Sequence, residues 1–186
     1  MRRSFKTTLL IIRLAHYGKR HLGAGGPEAH GFDRSDGNTS NLPSQGSQTQ
    51  ADPKLLFEII DSALTFIKDA QTAGRSFFVQ ISHYAVHIPQ ELRPSTLQQL
   101  HTSNHLIGTI HQDTAFGGMT EDLDVSIGML LDSLTNWGLD SNTYVVYMSD
   151  NGRLSGFSGQ CLGVDTRQYS RRRTCRILPK RQLFYV

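Results

Sequence analysis

The stretch Thr143-Tyr144-Val145-Val146-Tyr147-Met148-Ser149-Asp150-Asn151-Gly152 decides the fold class. Its continuous apolar run predicts a strand that is buried on both faces, as the strands of parallel sheets are. Carboxylate and amide oxygens follow at Asp150 and Asn151, and such oxygens suit Ca²⁺ or Mg²⁺. The same Asp-Asn-Gly sequence is also typical of an ordinary turn. The stretch therefore predicts a buried strand that ends in either a metal-binding corner or a turn.

The segment before this strand predicts a long helix over residues 114–137, with Gly138 just beyond its end. Apolar residues recur there at helical spacing and predict the buried face: Met119, Leu123, Ile127, Leu130, Leu131 and Leu134. Acidic residues are predicted to lie on the other faces: Glu121, Asp122, Asp124 and Asp132. A helix followed by a buried strand is the repeating unit of α/β folds.

The same alternation is present further upstream. Asp52 as an N-cap and Pro53 in the first turn predict a helix that ends near Gly74. Phe77-Phe78-Val79-Gln80-Ile81 predicts the next strand. Residues 7–16 are apolar and β-branched enough for a buried strand or a short helix, which periodicity cannot separate in so short a run. We therefore expect an α/β fold with a mostly parallel sheet flanked by helices.

The composition is typical of one globular domain. The chain has 186 residues, 38% of them hydrophobic, and a mean hydropathy of -0.34. No apolar run approaches the roughly 20 residues that span a bilayer, so we expect no membrane span. The first residues do not form a clear signal peptide, which leaves the compartment open. Cys161 and Cys175 indicate neither a zinc ribbon nor a disulfide framework, and their role stays open.

The charge is unevenly distributed along the chain. From Arg153 onward there are eight Lys or Arg residues and one acidic residue, whereas the remainder has eleven basic and fifteen acidic residues. We predict that residues 153–186 form a basic tail of unrelated composition, with disorder as one alternative. Such a tail binds polyanions electrostatically. A nucleic-acid partner is disfavoured, because no RNA-binding or helix-turn-helix motif accompanies the tail.

Two further polar clusters are candidates for function. The loop Gly18-Lys19-Arg20-His21-Leu22-Gly23 places cationic and titratable side chains between glycines, which suits an anionic group, although a solvated basic loop has the same composition. His83 and His87 are spaced as a zinc pair on a helix would be. Pro89 argues against a helix there, so we reject the zinc interpretation. His87, at the end of a strand, is the better functional candidate of the two.

Read together, these segments resemble the sulfatase family, which is arylsulfatase-like and belongs to the alkaline-phosphatase-like superfamily. The family pattern is a Gly-Lys-Trp-His-Leu-Gly loop and a Gly-Phe/Tyr-Asp segment, an aromatic strand with a His-x-Pro turn, a long helix, and a metal-binding strand end. Four segments match this order over roughly residues 8–152: Tyr17-Gly18-Lys19-Arg20-His21-Leu22-Gly23 with Gly31-Phe32-Asp33, residues 77–89, residues 121–143, and Ser149-Asp150-Asn151-Gly152.

The resemblance implies a role for each matching residue. Lys19, His21 and His87 would contact the substrate sulfate, and Asp150 and Asn151 would be ligands of a divalent metal, normally Ca²⁺. A metal and cationic donors stabilise the negative charge that builds up as a sulfate ester is cleaved. His21 or His87 could protonate the leaving alcohol. The implied substrate is a sulfate-ester small molecule or a sulfated glycan.

This sequence departs from the family pattern in four places. The Cys/Ser-x-Pro-x-Arg motif that yields the formylglycine nucleophile does not occur between Met1 and Tyr17, and the family's paired Asp residues are also absent. The later Gly-Lys stretch has no counterpart in residues 154–186, and Arg20 replaces the Trp of the loop. We therefore expect residues 1–152 to be a partial sulfatase-like catalytic domain.

The expected function is that of a sulfuric ester hydrolase that is incomplete and weakly active or inactive alone, because a covalent nucleophile and half of the metal ligands contribute much of the rate enhancement. Two alternatives remain open. One is a phosphodiester or phosphonate hydrolase of the same superfamily. The other is a non-catalytic protein that binds polyanions through the Arg-rich tail. The oligomeric state is left open.

Overall fold

The computed structural model describes residues 12–43, 48–102 and 113–149, together with the backbone of Leu183–Tyr185. Five strands form one sheet: β1 (Arg13–Gly18), β2 (Arg34–Ser35), β3 (Phe77–Ser82), β4 (Tyr144–Val146) and β5 (Leu183–Tyr185). Their order across the sheet is β2-β1-β3-β5-β4, and each pairing is parallel. The prediction of an α/β fold with a mostly parallel sheet is confirmed. Of the segment 7–16, for which the sequence leaves both a strand and a helix open, residues 13–16 lie in β1, and residues 7–11 lie outside the described residues.

In the part of the chain that the structure describes, three α-helices lie between the strands: α1 (Leu56–Thr72), α2 (Pro94–Thr102) and α3 (Thr114–Asn136). The sequence pattern predicts α1 and α3 but not α2, which buries only Thr96 and Leu100 and so lacks a clear apolar stripe. Gly138 follows α3 with a left-handed φ of 68°, as predicted. Within the described residues, no helix is long and apolar enough to cross a membrane.

The core lies between the sheet and helices α1 and α3. Burial alternates along β3, so that Phe77, Val79 and Ile81 face the helices. The buried cluster also includes members from the other elements: Ala15, Tyr17, Ile59, Ile60, Ala63, Phe66, Ile67, Ala70, Tyr84, Leu130 and Leu134. This packing fixes the sheet, and therefore the carboxyl ends of its strands, against the two long helices.

The start of α1 differs from the prediction. Asp52 is not the residue that immediately precedes the helix, and Pro53 lies outside its first turn, because the helix begins at Leu56. The carboxylate of Asp52 nevertheless accepts hydrogen bonds from the backbone N–H groups of Leu56, Phe57 and Glu58 at 2.7, 2.9 and 3.0 Å. Asp52 therefore satisfies the free N–H groups of the first turn from a position further upstream.

The burial predicted for residues 144–148 is wrong. Only Tyr144–Val146 form β4, and these residues are half-buried. Tyr147 and Met148 are 48% and 41% exposed. The physical reason is the position of β4 at the edge of the described sheet, where β5 pairs with it on one side. An apolar run shows that a strand forms, but its neighbours in the sheet decide how deeply it is buried.

Asp122 is a second correction. The helical pattern places it among the exposed acidic residues, whereas it is 1% exposed in the structure. Its carboxylate accepts hydrogen bonds from the backbone N–H and the Nε–H of Arg93 at 2.9 and 2.8 Å, and from the hydroxyl of Thr96. The Arg93 guanidinium also lies 4.4 Å from the ring centroid of Phe57. This network joins the start of α2 to α3.

Replacing Asp122 tests this network. Asp122→Ala leaves a partly buried guanidinium without its carboxylate, so we expect the free energy of unfolding to fall by about 3 kcal/mol. The matched control is Asp132→Ala, which removes an exposed carboxylate of the same helix and should change stability by less than about 0.5 kcal/mol. Urea unfolding followed by circular dichroism measures both values. Equal effects of the two substitutions would contradict a structural role for the network.

Candidate functional site

The two predicted anion-contacting segments begin at neighbouring strand ends. The loop with Lys19 follows β1, and the turn with His87 follows β3. The two strands pair in register from Arg13↔Phe77 to Gly18↔Ser82. Beyond the last pair, the backbone N–H of Lys19 donates to the carbonyl oxygen of Ser82 at 2.7 Å. Parallel pairing therefore brings both segments to the same edge of the sheet, where ligands bind in open α/β folds.

Gly18 is required for this close approach. Its φ is 92°, a left-handed conformation that favours glycine, and a Cβ on this residue would overlap the backbone oxygen of Ser82. The glycine at the start of the Gly-Lys loop therefore has a steric explanation. It lets the chain turn out of β1 while Lys19 stays hydrogen-bonded to the end of β3.

A pair of glycine substitutions isolates this contact. Gly18→Ala forces the two strand ends apart, so we expect it to lower the free energy of unfolding by about 3 kcal/mol or more. Gly23→Ala is the matched control, because Gly23 also has a positive φ of 84° but has open space around its Cβ position. Its cost should be about 1 kcal/mol, from the backbone conformation alone. Thermal unfolding of both variants measures the difference, and equal costs would exclude the steric role.

Asp36 and Thr39 anchor the loop that follows β1 through hydrogen bonds to its backbone. The backbone N–H of Gly18 donates to Asp36 Oδ2 at 2.6 Å, and the hydroxyl of Thr39 donates to the carbonyl oxygen of Gly18 at 2.7 Å. The backbone N–H groups of Arg20 and His21 donate to Thr39 Oγ1 and to the Thr39 carbonyl oxygen at 3.0 and 3.1 Å. Both anchors lie in the segment between β2 and α1.

Arg20 turns back onto its own loop. Its Nη1 donates to the carbonyl oxygen of Gly25 at 2.6 Å, and the side chain is half-buried. Arg20, which stands where the family pattern has Trp, therefore forms a hydrogen bond within the loop. Lys19 is half-buried and His21 is exposed, with a left-handed φ of 44°. The loop thus presents its charged groups at its surface.

His87 is exposed, and its ring is oriented by a neighbouring carbonyl group. Nδ1 lies 2.7 Å from the carbonyl oxygen of Ile88. A carbonyl oxygen can only accept a hydrogen bond, so Nδ1 carries the proton and Nε2 is the nitrogen that remains for a ligand. The backbone N–H of His87 donates to the carbonyl oxygen of Tyr84 at 2.9 Å. These two contacts fix the tautomer and the start of the turn.

His83 has a different environment. Both of its ring nitrogens are buried and have no hydrogen-bond partner in the part of the chain that the structure describes. Burial lowers its pKa from 6.5 to about 4, so the imidazole is neutral near pH 7. The environments of the two histidines of the rejected zinc pair therefore differ, since the ring nitrogens of His83 are shielded from solvent and His87 is exposed.

The buried His83 makes stability depend on pH. Its pKa is about 4 in the folded protein, below the 6.5 of the unfolded chain, so the unfolded state binds the proton first on acidification. The contribution of the neutral His83 to the free energy of unfolding is fully present above about pH 6.5. It is lost as the pH falls towards 4, and the loss is on the order of 3 kcal/mol.

Comparing His83→Leu with the parent tests this dependence. We expect the variant to lose most of the difference in unfolding free energy between pH 7.5 and pH 4.5, because it has no imidazole to protonate. His101→Leu, at an exposed position of α2, is the control and should keep the parental difference. Urea unfolding at the two pH values provides the measurement. An unchanged difference in His83→Leu would show that another group causes the acid sensitivity.

His16 is a further buried histidine, and the sequence pattern gives it no role. It is 5% exposed, its Nε2 lies 3.4 Å from Ser82 Oγ, and its ring packs edge-on against Phe32 with 5.8 Å between centroids. Burial lowers its pKa, and the charge of Arg20 lowers it further. His16 is therefore a neutral packing residue beneath the loop that carries Lys19.

The predicted metal ligands Asp150 and Asn151 lie outside the described residues, as do Cys161 and Cys175. Within residues 12–43, 48–102 and 113–149, no group of three or more His, Cys, Asp or Glu side chains could hold a metal ion. The described donors therefore do not by themselves form a Ca²⁺ site. The two ligand assignments stay predictions.

A cleft of about 650 Å³ lies beside α1, and its lining does not include Lys19, His21 or His87. It is mostly acidic and hydroxylic along its walls: Tyr17, Arg34, Ser35, Asp36, Asp52, Phe57, Glu58, Asp61, Ser62 and Thr65. Burial raises the pKa of Asp36, and the charges of Glu58 and Glu28 raise it further, although the N–H of Gly18 opposes this. An acidic cleft repels sulfate, so we do not assign the anion site to it.

The sequence of the chain is similar to sequences of known proteins. The family model described as Sulfatase matches residues 12–168. The N-acetylgalactosamine-6-sulfatase of Canis lupus familiaris is 32% identical over 93 residues, which are 50% of this chain and 16% of that protein. A sulfatase of Formosa agariphila is 29% identical over 116 residues, which are 58% of this chain and 20% of that protein. The chain therefore spans a fifth or less of the length of these two curated relatives.

Solved structures share the fold. The crystal structure of Ps i-CgsB aligns with a TM-score of 0.61 at 19% identity, over 76% of this chain and 38% of that one. The crystal structure of Ps i-CgsB in complex with k-i-k-neocarrahexaose aligns with the same TM-score at 20% identity and the same coverage. At this level of identity the likeness concerns the fold, which is the α/β arrangement described above.

Proposed function

The chain belongs to the sulfatase family, and from this premise we propose that it is a sulfuric ester hydrolase domain that is weakly active or inactive alone. One observation carries the proposal: the Lys19 loop and the His87 turn meet at one sheet edge, joined by the hydrogen bond from Lys19 N–H to the Ser82 carbonyl oxygen. Two segments that are far apart in sequence thereby offer cationic or protonatable groups to one anion.

In this proposal, Lys19 and His21 bind the sulfate from one side and His87 binds it from the other. Lys19 supplies a positive point charge with three donors. His87 presents Nε2, because Nδ1 is committed to the carbonyl oxygen of Ile88. A protonated Nε2 donates to a sulfate oxygen or gives its proton to the leaving alcohol, which is general acid catalysis.

Asp150 and Asn151 are the proposed metal ligands, and their oxygen atoms suit Ca²⁺. A divalent ion there would act as a Lewis acid towards the sulfate oxygens. The proposed weak activity of the 186-residue chain has a chemical reason. The chain has no Cys/Ser-x-Pro-x-Arg motif, so it does not supply the covalent nucleophile of the family pattern, and covalent catalysis divides a difficult step into two easier ones.

We propose a sulfated glycan as the substrate class. The names of the relatives support this choice, since one is an N-acetylgalactosamine-6-sulfatase and a structural neighbour was crystallised with k-i-k-neocarrahexaose. The exposed positions of His21 and His87 also suit a ligand that approaches along the surface.

Binding and turnover test the proposal separately. We expect the purified chain to bind a sulfated oligosaccharide, and Lys19→Ala and His87→Ala each to weaken binding about tenfold, because each removes a charge-assisted hydrogen bond. Lys68→Ala and His101→Ala, which alter exposed residues away from this edge, should leave affinity unchanged. Isothermal titration calorimetry at fixed salt measures the affinities. Equal binding by all four variants would contradict the assigned site.

Turnover is measured with an aryl sulfate and an aryl phosphate in the presence of Ca²⁺. We expect slow or undetectable hydrolysis of both by the chain alone, and stronger binding of the sulfate. Rapid sulfate turnover that is lost in His87→Ala would show a complete catalytic site and refute the proposed weak activity. Preference for the phosphate would favour a phosphoryl substrate instead.

A further inference from the structure

Lys54 is buried in a position that the proposed site does not explain. It lies two residues before α1, and its side chain is 1% exposed. Burying an ammonium group without a partner is costly, because the charge loses its hydration. Burial lowers the pKa of Lys54, and Glu91 opposes this shift. A residue of this kind needs a specific partner.

That partner is Glu91. Lys54 Nζ lies 3.2 Å from Glu91 Oε2, and both atoms are buried although the Glu91 side chain as a whole is 40% exposed. The two atoms are at ion-pair distance but are not aligned as a good hydrogen bond. Their attraction is therefore mainly electrostatic. Removing Glu91 leaves the ammonium group of Lys54, which is 1% exposed, without a compensating charge.

The pair joins the approach to α1 to the segment that carries His87. Glu91 follows His87 by four residues, and residues 83–93 contain neither a helix nor a strand. Side-chain contacts hold this segment instead. Besides Lys54–Glu91, these include Gln90 Nε2 to Asp113 Oδ2 at 3.5 Å and the bonds of Arg93 to Asp122. Among the described ion pairs, Lys54–Glu91 contains the residue that is nearest to His87 along the chain.

We propose that the Lys54–Glu91 ion pair positions the His87 turn against α1, which makes Lys54 a positioning residue for the sulfate-binding edge. The inference rests on the proposed role of His87 in sulfate binding. An apolar pair could fill the same volume, but it would tolerate sliding of the turn. The ion pair instead keeps the Glu91 carboxylate beside the buried ammonium group, because moving the two apart leaves that charge uncompensated. Since Glu91 is four residues from His87, holding Glu91 in place limits the movement of the turn.

The test uses the full chain with ¹⁵N-labelled histidine. Lys54→Met/Glu91→Gln removes both charges together, which avoids an unpaired buried ion. We expect this variant to stay folded but to show mixed ring tautomers at His87 and amide exchange about tenfold faster at that residue. Affinity for inorganic sulfate, followed at the His87 ring, should fall about tenfold. Arg34→Met/Asp69→Asn neutralises an exposed ion pair of 3.6 Å and should change none of these signals.

The readouts separate the two ideas. If the parent chain binds neither inorganic sulfate nor a sulfated oligosaccharide, the proposed function fails, while the tautomer and amide exchange still report on positioning. Unchanged His87 signals in the folded double variant would overturn the positioning role. If that variant does not fold, Glu91→Asp keeps the charge but shortens its reach. It should shift the His87 ring signals, and their constancy would overturn the inference equally.

Discussion

The close approach of Gly18 to the carbonyl group of Ser82 is the constraint on which the rest of the structure depends. It allows β1 and β3 to stay paired to their last residues, and it places the Lys19 N–H on the Ser82 oxygen at 2.7 Å. A Cβ at position 18 would separate the strand ends. Since the loop and the turn both begin at this point, their relative position is set by main-chain geometry. The side chains of Lys19 and His87 then need only local support.

That support comes from polar side chains in irregular segments. Thr39 and Asp36 hold the loop after β1, whereas Asp122 and Glu91 hold the segment after β3. Buried polar and charged groups of this kind add little net stability, because desolvation offsets much of the attraction. They do, however, restrict the conformation of segments that lie outside helices and strands. The positions of the Lys19 loop and the His87 turn therefore depend on side chains other than those proposed to contact the sulfate.

The sequence predicts those features that arise from local periodicity. The apolar run of β3 and the apolar stripe of α3 predict these two elements, and the end of the β3 run predicts that His87 follows a strand. Features that depend on residues far apart in the chain cannot be predicted from local periodicity. Asp122 resembles an exposed helical acid because Arg93, which buries it, is 29 residues away. Thr39 resembles any hydroxyl of a polar loop, and the shallow burial of β4 follows from its place in the sheet.

The solvent exposure of the groups proposed to contact an anion limits how strongly they can bind it. Water screens charges at a surface, so exposed ion pairs contribute only about 0.2–1 kcal/mol each. The same charges act more strongly where a ligand excludes water. A free sulfate ion covers little of the edge where Lys19, His21 and His87 lie. A glycan that carries the sulfate also covers the surrounding surface and displaces its water, so the same three residues would contribute more to binding a sulfated glycan than to binding the isolated ion.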